Sequence, residues 1–164
     1  MSILKNNMQP SFADLLRSPV LMLAFGFGSG LSTKAPGTMG TVLAVILFYG
    51  LMLMGVAWYT AGLVLVIVSG SWICGEASKK LGVHDHGGIV WDEVAGYLLT
   101  MYWAPFTIQN MLIGFVLFRA FDILKPWPIN WLDKHVSGGF GIMIDDILAG
   151  LMAAVCLQGL LYII

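Results

Sequence analysis

Apolar residues fill most of the chain in long uninterrupted runs. Between Lys34 and Glu76 lie 41 consecutive residues without Asp, Glu, Lys or Arg. One transmembrane helix needs about 20 apolar residues, so this run is long enough for two crossings. A helix of a soluble bundle would instead show polar residues at helical spacing, and these runs show almost none. The pattern therefore predicts an integral membrane protein and disfavours a soluble helical bundle.

The runs and the polar turns between them predict an all-α, polytopic membrane bundle of about four to five apolar helices with re-entrant or interfacial loops. We expect a single domain over residues 1–164, in which 1–20 form a polar surface segment with a short helix near 11–17. We expect this N-terminus to be retained, because the apolar stretch behind it is too short for a signal peptide. The predicted apolar helices are 41–53, 60–75, 94–103, 111–124 and 147–164.

A second hairpin would join the predicted helices 94–103 and 111–124. Pro105, Gln109 and Asn110 indicate an uncharged turn, but residues 94–118 provide only 25 uncharged positions. Two complete crossings need more, unless the flanking charges reach into the bundle. The alternative is one long crossing, which would separate Glu93 from Asp122.

If both hairpins form, every charged residue lies toward one side of the membrane. The chain has eight Lys and Arg and nine Asp and Glu, a formal net charge of −1, and only 10% charged residues. The positive-inside tendency makes that side cytoplasmic. No basic run indicates nucleic acid as a partner. Cys74 and Cys156 lie in apolar segments, where small buried hydrophobes are expected and a disulfide is not.

Two adjacent acidic pairs are the first candidates for chemistry. Asp92 and Glu93 precede one apolar run, and Asp145 and Asp146 precede another. Each pair alone is explained by the favourable charge of a carboxylate at a helix N-terminus. Two such pairs at membrane depth repel each other unless a cation is present. Hard oxygen ligands of this kind suit Mg²⁺ bound together with a substrate phosphate.

A second candidate is the charged stripe Arg119, Asp122 and Lys125, spaced three residues apart on a predicted helix. It is either a salt-bridge ladder at a helix end or a site in which Asp122 binds the metal and the two cations hold phosphate. His84 and His86 flank Asp85, and alternate spacing in an extended loop would point both imidazoles the same way. Without Cys ligands nearby, proton transfer is a better role for them than zinc binding.

The glycine-rich stretch 21–40 is either a flexible re-entrant turn or a backbone concavity that binds an anion. Missing motifs narrow the reaction further. Neither cysteine has the nearby Arg of a cysteine phosphatase, no Asp-x-Asp-x-Thr run supplies an aspartyl nucleophile, and no P-loop is present. The reaction type that remains is the attack of metal-activated water on a phosphate held at the membrane.

Three blocks in order resemble the phosphatidylglycerophosphatase A family of membrane lipid phosphatases. They are FGFGSGLSTKAPGTMGT at 25–41, GVHDHGGIVWDEVAG at 82–96, and FRAFDILKPWPINWLD with GGFGIMIDDILAG within 118–150. The resemblance implies magnesium-dependent hydrolysis of phosphatidylglycerophosphate to phosphatidylglycerol and inorganic phosphate at the bacterial inner membrane. Membrane lipids and this lipid substrate are the partners it implies, and protein partners stay unknown.

Individual roles are hypotheses built from the chemistry above, and they form three groups. The metal ligands are Asp92, Glu93, Asp122, Asp145 and Asp146. The catalytic set is His84, His86 and Asp85, with one histidine in proton transfer. The phosphate-binding set is Lys34, Thr38, Arg119 and Lys125, with the 28–40 backbone.

Two other classes of protein remain as alternatives. A small ion or proton transporter would use the same carboxylates as a relay, but it would carry charges near the middle of its apolar runs, and here they lie near the ends. A non-catalytic membrane scaffold would lose only stability when the carboxylates are replaced.

Overall fold

The computed structural model describes residues 9–163, which fold into α-helices joined by short loops and one 3₁₀ segment, Gly26–Leu31. Within that part of the chain no strand is present, and the all-α prediction is confirmed. The helices are α1 (Phe12–Arg17), α2 (Pro19–Ala24), α3 (Pro36–Met54), α4 (Val56–Leu81), α5 (Trp91–Thr100), α6 (Ile108–Leu124), α7 (Ile129–His135) and α8 (Gly138–Ile163).

Three helices, α3, α4 and α8, are long and apolar enough to cross a membrane. At a rise of about 1.5 Å per residue they extend roughly 28 to 39 Å, which matches a hydrocarbon core of about 30 Å. The chain is therefore a membrane protein, as the apolar runs predicted. The first hairpin is tighter than expected, because α3 and α4 meet at Gly55 alone, whose φ of +106° suits a residue without a side chain.

The short helix α5 and the returning helix α6 form the second hairpin. Asn110 Nδ2 donates to the Pro105 carbonyl at 3.0 Å in the turn, and the Tyr97 hydroxyl donates to the Met111 carbonyl at 3.1 Å. Glu93 and Arg119 then lie 3.8 Å apart at the other end. The hairpin is confirmed, and the alternative of one long crossing is wrong.

Helix α5 does not cross the membrane, because its ten residues extend only about 15 Å. Nearly all of them are buried, and α5 packs against α3, α4 and α8. Residues 94–118 are therefore sufficient for the hairpin, although they are too few for two complete crossings. The flanking side chains of Glu93 and Arg119 are 13% and 15% exposed and lie inside the bundle.

Helix α8 is the centre of the bundle and contacts α4, α5 and α6. It begins at Gly138, so the predicted boundary at 147 is wrong, and Asp145 and Asp146 lie inside the helix instead of at its mouth. The glycines that favoured a loop there permit close packing. A Cβ on Gly139 would lie 1.8 Å from the Ser71 carbonyl oxygen of α4. The expected loop 126–141 also contains α7.

The short helices α1 and α2 lie beside the loop that precedes α5. Helix α1 begins with a capping box in which Ser11 N donates to Asp14 Oδ2 at 2.9 Å, and this confirms the predicted short helix. Farther on, Val90 N donates to the Ala24 carbonyl at 2.8 Å, which ties the loop before α5 to the end of α2. The glycine-rich stretch thereby fixes the start of α5 next to the start of α3.

Candidate functional site

Three carboxylates from two helices converge inside the bundle. Asp92 and Glu93 lie in the first turn of α5, and Asp146 lies on the facing side of α8. One oxygen of each lies within 4.8 Å of the other two. Asp92 is 9% exposed and Asp146 only 3%. We call these three residues the carboxylate triad, and its spacing allows all three to bind one cation.

Arg119 of α6 lies beside the triad and is held by two acidic side chains. Its Nη1 donates to Asp122 Oδ2 and lies 3.8 Å from Glu93 Oε1. The backbone of α3 closes this side, because a Cβ on Gly37 would lie 2.3 Å from Glu93 Oε1 and 3.0 Å from Arg119 Nη1. Arg119 and Asp122 of the predicted stripe on α6 therefore form an ion pair and are also part of the site.

Lys125, which ends α6, organises a second group of charges next to the triad. Its Nζ donates to Asp133 Oδ1 and to Asp145 Oδ2, each at 2.7 Å. Burial alone would lower the pKa of Lys125, but these two carboxylates outweigh it and hold the pKa above its usual value. The lysine therefore stays charged and binds one carboxylate oxygen of Asp145.

A polar cavity of about 130 Å³ lies beside Asp145. Asp145 lines it, and its Oδ1 atom is buried and has no hydrogen-bond partner among the described residues. Asp85 also faces the cavity. The lining residues are His84, Asp85, Asp133, Val136, Gly141, Ile142 and Asp145.

The two loop histidines contact different parts of the molecule, so the expectation that they point the same way is wrong. His84 Nε2 accepts from Gly138 N at 2.8 Å, at the start of α8. His86 Nδ1 accepts from Gly88 N at 3.0 Å, and its ring lies 5.5 Å from that of Phe25. Burial lowers the pKa of His86, although Asp85 opposes this. Only His84 lines the polar cavity.

The remaining predicted phosphate ligands lie at the start of α3. Thr38 follows Gly37 in the first turn, and Lys34 is exposed in the loop before it. No ion pair joins Lys34 to a carboxylate in the described part of the chain. The structure thus brings Asp92, Glu93, Asp122, Asp146 and Arg119 together, with Asp145, Lys125, His84 and Asp85 adjoining. His86 contacts Gly88 and Phe25 instead, and the role of Lys34 and Thr38 stays a prediction.

The charge balance of this region fits a divalent cation. Among the described residues, the five carboxylates predicted to bind metal form ion pairs with two cationic side chains, Arg119 and Lys125. Glu93 Oε2 and Asp146 Oδ2 are buried without a hydrogen-bond partner in the described residues. Buried carboxylates that lack partners are costly unless a positive charge offsets them. An all-oxygen donor set suits a hard ion such as Mg²⁺.

Two contributors to the site were not singled out from the sequence. Gly37 was one glycine among several, and Asp133 had no assigned partner. Nothing in the spacing of Asp133 relative to Lys125 shows that α7 folds back over the end of α6. For Gly37 the only signal is that it directly follows Pro36 at the start of an apolar helix.

Comparison with known proteins gives one consistent family. The family described as Phosphatidylglycerophosphatase A matches residues 22–161. The Escherichia coli (strain K12) protein named Phosphatidylglycerophosphatase A is 45% identical over 150 residues, which cover 91% of this chain and 85% of that protein. Its namesake from Haemophilus influenzae (strain ATCC 51907 / DSM 11121 / KW20 / Rd) is 44% identical over 152 residues, 90% of this chain and 91% of that protein.

A more distant relative carries a different name. It is a Bacteroides thetaiotaomicron protein named as a candidate phosphatidylinositol-3-phosphatase, 34% identical over 150 residues, 87% of this chain and 89% of that protein. No solved structure matches the chain. The matched residues include the whole carboxylate triad and its neighbours.

Proposed function

The chain belongs to the phosphatidylglycerophosphatase A family, and we propose that it hydrolyses phosphatidylglycerophosphate to phosphatidylglycerol and inorganic phosphate with the help of Mg²⁺. The carboxylate triad is the observation that supports the metal-dependent part of this proposal. Its members come from α5 and α8 and share one buried site, and two of their oxygens have no hydrogen-bond partner in the part of the chain that the structure describes.

Asp92, Glu93 and Asp146 would hold the ion, with Asp122 beside them through its pairing with Arg119. A bound Mg²⁺ supplies Lewis-acid polarisation of the phosphoryl oxygen and lowers the pKa of bound water. The guanidinium of Arg119 is held by Glu93 and Asp122, so it is preorganised to bind phosphate oxygens as charge develops on them.

Hydrolysis moves two protons, and the polar cavity beside Asp145 contains groups for both. Water that attacks phosphorus loses a proton, and Asp145, a lining residue whose Oδ1 has no partner among residues 9–163, could accept it. The glycerol oxygen gains a proton as its bond to phosphorus breaks. His84 accepts from Gly138 through Nε2, so its neutral form carries a proton on Nδ1 that it can donate.

The placement of the site agrees with a lipid substrate. The triad lies at the start of α5, beside the start of α3 and the charged last turns of α6. There a phospholipid headgroup can meet the bundle while its acyl chains stay in the bilayer. We place this face on the cytoplasmic side of the bacterial inner membrane, because the Lys and Arg residues of the chain gather there.

The transporter alternative is disfavoured by the distribution of charge. Residues 37–75, 94–118 and 147–163 contain no Asp, Glu, Lys, Arg or His. These ranges begin beside the triad and extend to the opposite end of the bundle at Gly55 and 101–107. A relay of carboxylates across the membrane would need ionisable groups there.

The direct test is release of inorganic phosphate from phosphatidylglycerophosphate by the purified protein in detergent micelles. We expect activity with Mg²⁺, loss of activity with EDTA, and recovery when Mg²⁺ is restored. Phosphatidylinositol 3-phosphate is the comparison substrate, because one relative is named for it. Full activity in EDTA would exclude the metal, and preference for the inositol lipid would exclude the proposed substrate.

Replacement of Asp146 by Asn tests the triad itself. We expect phosphate release to fall at least about a hundred-fold, since loss of a direct ligand exceeds the effect of losing a supporting partner. Glu76→Gln is the control, because it removes a carboxylate whose partner Lys79 is exposed on α4. That variant should retain activity within about two-fold. Equal activity in D146N and the parent protein would remove Asp146 from the site.

A further inference from the structure

An apolar groove runs along the outside of the bundle between α3 and α6. Its volume is about 330 Å³, and its wall carries almost no polar surface. Leu112 is 64% exposed and Ile108 is 74% exposed, so the groove opens sideways toward the bilayer. The lining residues are Val42, Val45, Ile108, Met111, Leu112 and Phe115.

One end of this α3–α6 groove lies next to the carboxylate triad. Val42 comes five residues after Gly37 on α3, and Phe115 comes four residues before Arg119 on α6. At about 1.5 Å per residue, the groove begins roughly 6 to 8 Å from the Gly37–Arg119 contact. Phe115 and Arg119 are four residues apart, so their side chains lie on the same face of α6.

Aromatic side chains lie beyond the other end. Phe106, in the turn between α5 and α6 and two residues before Ile108, lies 5.7 Å from Phe48 and 5.5 Å from Tyr49, measured between ring centroids. On α6 the groove extends from Ile108 to Phe115, one turn before Arg119. A lipid lying there would have its headgroup at the triad and its chain along α3 and α6.

We propose that the α3–α6 groove holds one acyl chain of the phospholipid substrate. This inference rests on the proposed function and names the surface that positions the lipid. Continuity with the triad distinguishes this groove from the rest of the lipid-facing surface, because a chain bound here is attached to a headgroup within reach of Arg119. Chain burial on the enzyme thereby holds the phosphate at the site, which raises the effective concentration of the reacting group.

The first test fills the groove and varies the substrate. Val45→Trp places an indole in the middle of the groove, and Val68→Trp places one on the exposed lipid face of α4 as the matched control. Phosphatidylglycerophosphate with long chains and the same lipid with six-carbon chains are compared in identical detergent micelles. Leu112→Trp, on the open side of the groove, serves as a second filling variant if Val45→Trp does not fold.

For V45W we expect kcat/KM on the long-chain substrate to fall at least about ten-fold, because a chain excluded from the groove stays in the micelle and no longer holds the phosphate at the triad. The six-carbon substrate and the V68W control should change less than about two-fold. Equal losses on both substrates would overturn the proposal that the groove holds an acyl chain, but would not contradict the proposed phosphatase function. Absence of phosphate release by the parent protein from either lipid would overturn the proposed function.

A second test is independent of turnover. A substrate analogue with a photoactivatable diazirine midway along one acyl chain is bound in the presence of EDTA, and the labelled residues are identified by mass spectrometry. We expect labelling within 42–45 and 108–115, reduced in V45W. Labelling concentrated on α4, or at Val155 in the shallower hollow between α6 and α8, would overturn the proposal. So would a dimer that covers the groove and excludes the label.

Discussion

Gly37 is the residue on which the α3 side of the site depends. Its Cα approaches both Glu93 and Arg119, so that any side chain would lie where Glu93 Oε1 now lies. The carboxylate is one third of the triad and the guanidinium is the cation nearest to it. A methyl group at this position would therefore displace the two groups without removing any charge.

Gly37→Ala should lower kcat/KM for phosphatidylglycerophosphate at least about ten-fold, because displacement of positioned groups by about 1 Å has large effects on rate. Gly50→Ala on the same helix is the control, since a Cβ there meets nothing within 4 Å. That variant should keep parental activity and gain about 0.5 to 1 kcal/mol in helix stability. Phosphate-release kinetics and thermal unfolding of both variants check the prediction. Unchanged kinetics in G37A would show that Glu93 does not need its present position.

The acidic residues of the site could be found from the sequence because charges interrupting apolar runs are costly and therefore rare. The sequence could not show which of these acidic residues join the triad and which pair with Lys125. Asp145 and Asp146 are neighbours, but successive residues of a helix point about 100° apart. Asp146 joins Asp92 and Glu93, whereas Asp145 binds Lys125. The rotation of α8 relative to α5 decides this, and it follows from packing contacts distant in the chain.

At the scale of elements, the apolar runs and turn residues were sufficient to predict the two hairpins. They were insufficient for the start of α8. Four glycines between 138 and 150 lower intrinsic helix propensity, and only tertiary contact shows why the helix persists. Gly139 lies against Ser71 and Gly75 of α4, and Gly150 lies against the Gly96 backbone of α5. Small residues let these helices approach closely enough to bring the acidic pairs together.

The α5–α8 approach is tested by Gly150→Ala. A Cβ there would lie 2.4 Å from the Gly96 carbonyl oxygen and 3.1 Å from Gly96 Cα. Because backbone atoms cannot move aside as a side chain can, we expect a loss of about 1 to 3 kcal/mol in stability and reduced activity as the triad opens. Gly159→Ala on the same helix, where a Cβ meets nothing within 4 Å, is the control. Thermal unfolding in detergent compares the two, and equal midpoints would mean that α5 and α8 can separate without cost.

At the scale of the whole molecule, charge is confined to one end of the bundle. Within residues 9–163 the charged side chains lie in α1, at the ends of α4 and α6, at the start of α5, in the third turn of α8, and in the loops and α7 between them. Phe12 and Leu16 of α1 are exposed at the same end, as expected for a helix lying in the membrane interface. The opposite end, with the turns at Gly55 and 101–107, has no charged side chain among the described residues.

This polarity predicts the orientation of the protein in the membrane. In a Cys156→Ser background, which removes the exposed thiol and leaves the buried Cys74, single cysteines replace Trp58, Gln109 or Lys79, all of them exposed. A membrane-impermeant maleimide added to intact spheroplasts should label positions 58 and 109, and should reach position 79 only after permeabilisation, because Lys and Arg are retained on the cytoplasmic side. The reverse result would place the carboxylate triad outside the cytoplasm. Labelling of 58 and 109 from different sides would contradict the paired hairpins on which the convergence of α5, α6 and α8 depends.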